Sequence, residues 1–283
     1  MKNLGDISSR RLLIFGGCYS NLAATRAMRK KAGQLDIPAS QTICTGDLVA
    51  YCGEPAETID LIRDWGIHVL MGNCEQSLGF EQADCGCGFD QQSVCSMLSI
   101  AWYRFASAQI TLEHRSWMKA LPRLIKLRFQ SARISIVHGS VASINQFVFP
   151  ATAKQEKWRQ IQQANADAVI GGHSGIPFGQ TINNKAWLNA GVIGMPANDG
   201  SADGWYMLLE PDNTGYRVSW HRLQYDAQRS RKSTRAAGMA EYADALTTGL
   251  WPSMDVMPLQ DQRNQGKRLQ LEPMIFSAPD QSA

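Results

Sequence analysis

The sequence predicts an α/β fold in which a mainly parallel central sheet is flanked by helices. Short apolar runs that end in glycine-containing loops alternate with stretches of good helix formers through residue 75. Such alternation of strand and helix is typical of a parallel-centred sheet covered by its own connecting helices. Because ligands usually bind at the carboxyl ends of such strands, the loops after the strands are the first candidates for a functional site.

The predicted elements follow from periodicity and from residues that begin or end helices. Strands are predicted at 11–15, 42–45, 67–71, 133–137 and 168–170, and helices at 21–35, 56–65 and 154–164. Residues 95–120 are expected to form two helices, the second begun by Thr111 and ended by Pro122. Asn183 and Asn184 predict a hairpin turn, and strands 205–209 and 216–223 a second hairpin. Residues 76–89 are expected to form a loop.

Length and composition suggest one large domain with a tail, although 283 residues would also fit two domains at roughly 150 residues each. We expect a domain over 1–225 with a helical insertion at about 90–122, followed at 226–283 by a helical segment and a polar tail that is poorly ordered from 258 onward. The chain has 28 Lys and Arg against 25 Asp and Glu, a net charge of +3. This balance argues against a dedicated nucleic-acid surface.

Hydropathy and cysteine usage indicate a cytoplasmic protein. No apolar stretch reaches the ~18 residues of a membrane span, and the N-terminal residues lack the apolar run of a signal peptide. The seven cysteines are odd in number and irregularly spaced, which is typical of reduced thiols and not of a secreted disulfide framework. The sequence leaves the oligomeric state open, with a homo-oligomer among the alternatives.

Five loops at strand ends carry the residues of interest: 16–21, 46–47, 72–75, 138–139 and 172–175. Their order and spacing resemble the calcineurin-like metallophosphoesterase superfamily, whose pattern is Asp-x-His, Gly-Asp, Gly-Asn-His-Asp/Glu, His and Gly-His-x-His. Residues 46–55 and 189–196 are similar to loops of its bacterial branch of small phosphodiesterases and symmetric-dinucleotide hydrolases. The resemblance covers about 11–225. It implies a sandwich of two β-sheets flanked by helices that hydrolyses phosphoric esters with the help of metal ions.

The resemblance also implies a set of site residues. Asp47, Asn73, His138 and His173 match the family's second metal site and offer a carboxylate, an amide oxygen and two imidazoles. This set suits Mn, Fe or Zn. We expect one divalent transition metal, with two as the alternative, and a small phosphorylated substrate contacted by Asn21 and Asn73. Taken singly, Asp47 and Asn73 would be turn residues and the histidines hydrogen-bonded core residues.

The sequence departs from the family pattern at the first metal site. Gly17 and Tyr19 stand where the family has its first Asp and His, and Gly175 stands where the last His is expected. Glycine offers no side-chain ligand, and tyrosine is a poor substitute for imidazole. We therefore expect the first site, as normally built, to be dismantled.

Cysteines provide a further set of candidates near this gap. Cys74 takes the place of the family's His that is thought to protonate the leaving group, so it is expected to donate a proton, to bind metal as a thiolate or to pack as a small apolar residue. Cys85 and Cys87 form a Cys-x-Cys pair. We expect at least one of them to approach the site, where it would be a candidate ligand of a soft ion such as Zn or Fe.

Two functions remain in competition at this point. The first is a phosphoesterase with an atypical metal centre, in which Asp47, Asn73 and Cys74 act in catalysis. The second is a non-catalytic metal- or nucleotide-binding protein on the same fold. The three lost ligands favour the second function, whereas the complete second set favours the first.

Overall fold

Two six-stranded mixed sheets pack face to face and are flanked by helices in the computed structural model, which describes residues 1–7, 10–88 and 92–277. The predicted fold class is confirmed. Residues 90–91 of the expected insertion, residue 89 of the expected loop and the tail from 278 onward lie outside the described residues.

The first sheet has the strand order β1-β5-β6-β7-β9-β8, and the second β12-β11-β10-β2-β3-β4. The strands are β1 (Lys2–Asp6), β2 (Leu12–Phe15), β3 (Thr42–Cys44), β4 (His68–Val69), β5 (Leu124–Phe129), β6 (Ala132–Val137), β7 (Ala168–Gly171), β8 (Phe178–Ile182), β9 (Lys185–Asn189), β10 (Gly204–Asp212), β11 (Gly215–Leu223) and β12 (Met274–Ser277). β2, β3 and β4 run parallel to one another, as do β6, β7 and β9. These two parallel groups supply the loops that form the site.

Nine α-helices among the described residues cover the sheets. They are α1 (Leu22–Gln34), α2 (Pro55–Trp65), α3 (Asn73–Gly79), α4 (Val94–Gln109), α5 (Leu112–Lys119), α6 (Lys154–Ala164), α7 (Ala227–Ala236), α8 (Ala240–Thr248) and α9 (Leu259–Gln262). The longest of these helices, α4, has 16 residues, and the described helices include none long and apolar enough to cross a membrane.

Alternation of side chains along the strands sends apolar residues to both faces of each sheet. Leu12 and Ile14 of β2 point between the sheets, where they meet Ile134 and Ile136 of β6. Leu13, on the opposite face of β2, belongs to a second cluster under the helices, and Trp187 packs in a third cluster against α6. The site loops therefore rest on strands that are buried on both faces, which holds their ends in place.

Several predicted elements differ in the structure. Residues 73–79 form α3, so the predicted loop at 76–89 is too long at its start. The sequence prediction missed β1, β5 and β12. The predicted hairpin at Asn183 and Asn184 is present, with φ of 48° and 60° at the two residues.

The segment after residue 225 is attached to the sandwich at both of its described ends. The α7 hydroxyl of Ser230 donates to Asn21 Oδ1 at 2.6 Å, and β12 pairs antiparallel with β11 at the edge of the second sheet. The expectation of poor order from residue 258 onward is therefore wrong for β12.

Candidate metal centre

The four predicted ligands come from loops of both sheets and meet where the sheets face each other. Asp47 follows β3 and Asn73 follows β4 in the second sheet, whereas His138 follows β6 and His173 follows β7 in the first. All four are at most 6% exposed. His138 Nδ1 donates to the carbonyl of Thr45 at 2.7 Å, and this bond links the two groups of loops.

The ligand atoms of these residues converge around His138 Nε2. Asn73 Oδ1 lies at 3.0 Å, His173 Nδ1 at 3.0 Å and Asp47 Oδ2 at 3.2 Å from this nitrogen. His173 Nδ1 is 3.8 Å from Asp47 Oδ2. Among the described residues, Asp47, His138 and His173 form a group of His, Cys, Asp and Glu side chains with ligand atoms all within 4.8 Å of one another.

The hydrogen bonds around the site orient lone pairs toward its centre. Because the Thr45 carbonyl can only accept, His138 carries a hydrogen on Nδ1, and its Nε2 presents a lone pair in the neutral ring. Asn73 Nδ2 donates to the carbonyl of Cys85 at 3.0 Å, so its Oδ1 faces His138. The cluster is therefore rich in acceptors, and a shared cation would satisfy all of them at once.

The electrostatics of the cluster agree with a cation site. Burial alone would raise the pKa of Asp47, but the two histidines outweigh it and hold the pKa of this carboxyl well below its usual range. Burial lowers the pKa of His138, yet the charge of Asp47 more than compensates and raises it overall. The pKa of His173 falls because burial dominates. His173 Nε2 is buried with no hydrogen-bond partner among the described residues. The donor set of one carboxylate, one amide oxygen and two imidazoles fits a divalent transition metal.

Sequence reasoning missed Glu75, which holds two of the site loops together. Its carboxylate accepts from the backbone N–H groups of Asp47 and Leu48, each at 2.7 Å, and of Gly72 at 2.9 Å. Glu75 is fully buried, and burial together with the charge of Asp47 raises its pKa to about 7. The signal that could have found it is the acidic residue at the end of the family motif, which Glu75 matches, although residue type does not reveal its backbone partners.

At the family's first metal site, the ring of Tyr19 occupies the space beside Gly17. A Cβ built on Gly17 would lie 2.5 Å from Tyr19 Cζ and 2.7 Å from Val192 Cγ1. Tyr19 is 5% exposed, and burial followed by the charge of Asp47 raises the pKa of its phenol, so the hydroxyl is neutral. Gly175 has no side chain that could bind a metal at this position.

The candidate cysteines lie beside the cluster. Asn73 Nδ2 is 3.5 Å from Cys74 Sγ and 3.3 Å from Cys87 Sγ. Cys74 is a free, buried thiol, and burial raises its pKa. The sulfurs of Cys85 and Cys87 lie against each other as a pair.

Asn21 differs from its predicted role as a substrate contact. It is 1% exposed. Its Oδ1 accepts from the backbone N–H of Ala24 at the start of α1, and its Nδ2 donates to the carbonyl of Gly194 at 3.0 Å. The hydroxyl of Ser230 adds a third hydrogen bond to this side chain. Both polar atoms of Asn21 are therefore bonded within the protein, and its predicted role as a substrate contact is not supported.

The fold and the convergent cluster define a metallophosphoesterase-type protein. The family model of the calcineurin-like phosphoesterase superfamily domain matches residues 12–214. The chain belongs to this superfamily of metal-dependent phosphoric ester hydrolases, as the motifs predicted.

Three similar proteins match most of the chain. A protein of Methanocaldococcus jannaschii is 23% identical over 237 residues, which cover 77% of this chain and 89% of the relative. The crystal structure of a metallophosphoesterase from Sphaerobacter thermophilus matches with a TM-score of 0.66 at 20% identity, over 86% of this chain and all of that one. A protein of Pyrococcus horikoshii OT3 matches with a TM-score of 0.69 at 14% identity, over 85% and 99% of the two chains. At these identities the structural matches bear on the fold.

Proposed function

We propose that this protein hydrolyses a small phosphoric ester with a single divalent transition metal held by Asp47, Asn73, His138 and His173. The observation that carries the proposal is the convergence of three acceptor atoms, from Asp47, Asn73 and His173, on His138 Nε2, all within 3.2 Å of it. Burying so many lone pairs and a carboxylate without a cation is unfavourable. The family membership supplies the reaction class.

The bound metal would act as a Lewis acid that polarises a phosphoryl oxygen and lowers the pKa of water. The protein's part is to hold its ligands in one orientation before substrate arrives. The Thr45 carbonyl sets the tautomer of His138, and the backbone N–H of Cys74 holds Asp47 through Oδ1 at 3.2 Å. The Cys85 carbonyl holds Asn73. Such supporting bonds set the affinity and geometry of metal sites.

Within this proposal Cys74 is a neutral proton donor beside the site and not a metal ligand. Its thiol is buried, and burial raises the pKa of the thiol in the metal-free protein. Asn73 acts through Oδ1, since its Nδ2 is already shared between the Cys85 carbonyl and the sulfur of Cys87. A Cys74→Ser variant tests the donor role, because a hydroxyl retains a hydrogen but differs in acidity.

The position of Tyr19 supports a single metal. Its neutral ring fills the space beside Gly17, and neither Gly17 nor Gly175 brings a ligand atom there. One cation stabilises less of the charge on the phosphoryl oxygens than two do, so we expect slow turnover compared with a complete two-metal site.

The test is metal content together with hydrolysis of bis(p-nitrophenyl) phosphate by protein prepared with Mn²⁺. We expect about one ion per chain and measurable turnover that Asp47→Asn abolishes and His138→Ala reduces along with metal content. Asp64→Asn, which changes an exposed carboxylate on α2, is the matched control and should leave both unchanged. Full metal occupancy without turnover for any divalent ion, alongside nucleotide binding, would favour the non-catalytic binding protein instead.

A further inference from the structure

A pocket of about 600 Å³, its open mouth included, lies directly beside the candidate metal centre. His173 belongs to both the metal cluster and the pocket wall. The aromatic part of the pocket lining consists of Tyr19, Tyr51, Phe147, Tyr242 and Trp251.

The aromatic rings of this pocket are held in place by one another and by a hydrogen bond. Tyr51 stacks on Tyr242 with ring centroids 4.7 Å apart, and its ring meets that of Tyr19 edge to face at 4.7 Å. Phe147 stacks on the ring of His173 at 4.1 Å. Trp251 Nε1 donates to the carbonyl of Pro196 at 2.7 Å, which fixes the indole. A ligand that enters meets surfaces that are already ordered, which lowers the entropic cost of binding.

The lining contains no carboxylate, ammonium or guanidinium group. Of the fifteen described residues around the pocket, none is Asp, Glu, Lys or Arg. An anionic group would lose its hydration here without gaining a cation, so the pocket disfavours a second phosphate. An uncharged flat ring is favoured instead, because aromatic surfaces contribute both area and preferred stacking geometries.

Gly175 keeps the pocket open next to the metal centre. A Cβ built there would lie 3.5 Å from Val192 Cγ2 and 3.6 Å from the Trp251 ring, both of which line the pocket. Any longer side chain at this position would therefore enter the pocket. Its φ of +70° also favours glycine. The ring of Tyr19 and the bare backbone of Gly175 thus turn this side of the site into apolar binding space.

We propose that the pocket binds the organic group of the substrate, and that this group is a flat, uncharged aromatic ring, either an aryl group or a nucleobase. The assignment rests on the proposed function for the position of the phosphate, which would lie at the metal cluster. With His173 shared by cluster and pocket, a phosphoric ester bound at the metal centre directs its substituent into the pocket. The substrate is then an ester with one aromatic substituent and no further phosphate beyond it.

The selectivity of the protein would accordingly depend on residues beyond the family match. Tyr242 of α8 and Trp251 after it lie outside residues 12–214. The ligands of the metal cluster all lie inside that range.

Paired inhibitors test the proposal without any turnover. We expect the Mn²⁺-loaded protein to bind phenylphosphonate roughly tenfold or more tightly than methylphosphonate, measured by calorimetry, a ratio equivalent to about 1.4 kcal/mol or more. Leu98→Trp, on α4 and in the pocket lining, should fill the space and abolish this preference while methylphosphonate still binds. Met97→Trp is the matched control, because Met97 lies next to it on the same helix and is 59% exposed. Equal affinities of the two phosphonates for the unaltered protein would overturn the proposal.

Uncharged ligands separate this proposal from the proposed function. Phenol and adenosine need no metal, and quenching of tryptophan fluorescence by either one, lost in Leu98→Trp, would support the pocket even if neither phosphonate bound. Quenching by a neutral ligand without binding of either phosphonate would reject the phosphoesterase proposal and leave the pocket proposal intact. Tighter binding of phenol indicates an aryl ester, and tighter binding of adenosine a nucleotide. Binding of neither neutral ligand, together with equal phosphonate affinities, contradicts the aromatic pocket.

Discussion

The ring of Tyr19 lies against the backbone of Gly17, so closely that no side chain fits at residue 17 while the ring stays where it is. Gly17 also has a φ of +36°, in the region that favours glycine. The loss of one ligand and the gain of an aromatic ring at this place are therefore a single structural change. Residue 17 could not return to the Asp of the family pattern without displacing the ring of Tyr19.

This relationship predicts strong coupling between the two positions. Gly17→Ala should destabilise the fold by about 2–4 kcal/mol through overpacking and backbone strain. In a Tyr19→Ala background the clash with the ring is gone, so the destabilisation caused by Gly17→Ala should fall by at least about 1 kcal/mol. Urea unfolding of the four proteins gives the coupling energy. Gly33→Ala is the control: Gly33 lies in α1 with open space around its Cα, and this change should be neutral or stabilising. Additive effects at residues 17 and 19 would contradict the packing argument.

Glu75 is predicted to position the loop that carries Asp47. In Glu75→Gln an amide NH₂ replaces one of the two oxygens that accept backbone N–H groups, so at least one donor is left without an acceptor. We expect a loss of about 1.5–3 kcal/mol in unfolding free energy and roughly tenfold weaker Mn²⁺ binding. Glu57→Gln, at an exposed position of α2, should change neither. Unchanged metal affinity would mean that the hydrogen bonds of Glu75 stabilise the fold without affecting metal binding.

The Cys85–Cys87 pair is predicted to affect metal binding through Asn73. Replacing both cysteines by serine frees the loop whose carbonyl holds the Asn73 amide. We expect roughly tenfold weaker Mn²⁺ binding, the lower end of the range seen when supporting hydrogen bonds are removed. Titration of metal-free protein with Mn²⁺ measures the change. Cys52→Ser alters a free cysteine whose Sγ donates to the carbonyl of Gly194 at 3.8 Å and should bind the metal normally. Identical affinity in both variants would indicate that the pair only packs the loop.

Lys157 is predicted to make stability depend on alkaline pH. Burial lowers the pKa of this side chain to about 8, while its Nζ donates to the Pro150 carbonyl and to Gln180 Oε1, each at 2.8 Å. The unfolded chain, with a lysine pKa of ~10.4, binds more protons than the folded one between these values. The contribution of Lys157 to stability therefore rises with pH through this window and is least favourable below it.

The comparison needs a variant that lacks the titrating group. From about pH 7.5 to about pH 9.5, the unaltered protein should gain unfolding free energy relative to Lys157→Met. Lys30→Met, at an exposed position of α1, should show no such relative change. Urea unfolding at the two pH values measures the differences. A difference that stays constant with pH would show that Lys157 titrates alike in the folded and unfolded chains.

Sequence alone predicted those parts of the fold whose residues have a strong local pattern. The helix at 154–164 was predicted with its observed bounds because its apolar residues follow helical periodicity. β12 was missed because Met274–Ser277 lies in a polar stretch and becomes a strand by pairing with β11. β1 was missed for a related reason: Lys2–Asp6 is largely exposed and forms an edge strand against β5.

The same limit applies to the site. The convergence of Asp47, Asn73, His138 and His173 was predicted from the family resemblance, since these residues follow strands of two different sheets. Glu75 acts on backbone N–H groups, and residue type does not reveal such partners. The aromatic pocket combines Tyr19 with Tyr242 and Trp251, residues so distant in sequence that only the folded chain brings them together.

The ligands of the candidate centre are divided between the two sheets, and this division links metal supply to the lifetime of the protein. An ion bound by all four residues would connect the two sheets and would be released when the sheets separate on unfolding. By mass action, a metal present at a hundredfold excess over its dissociation constant would add about 2.7 kcal/mol to the free energy of unfolding. A cell that withholds the ion would thereby enlarge the unfolded population exposed to proteases, and the abundance of the protein would follow the availability of its metal.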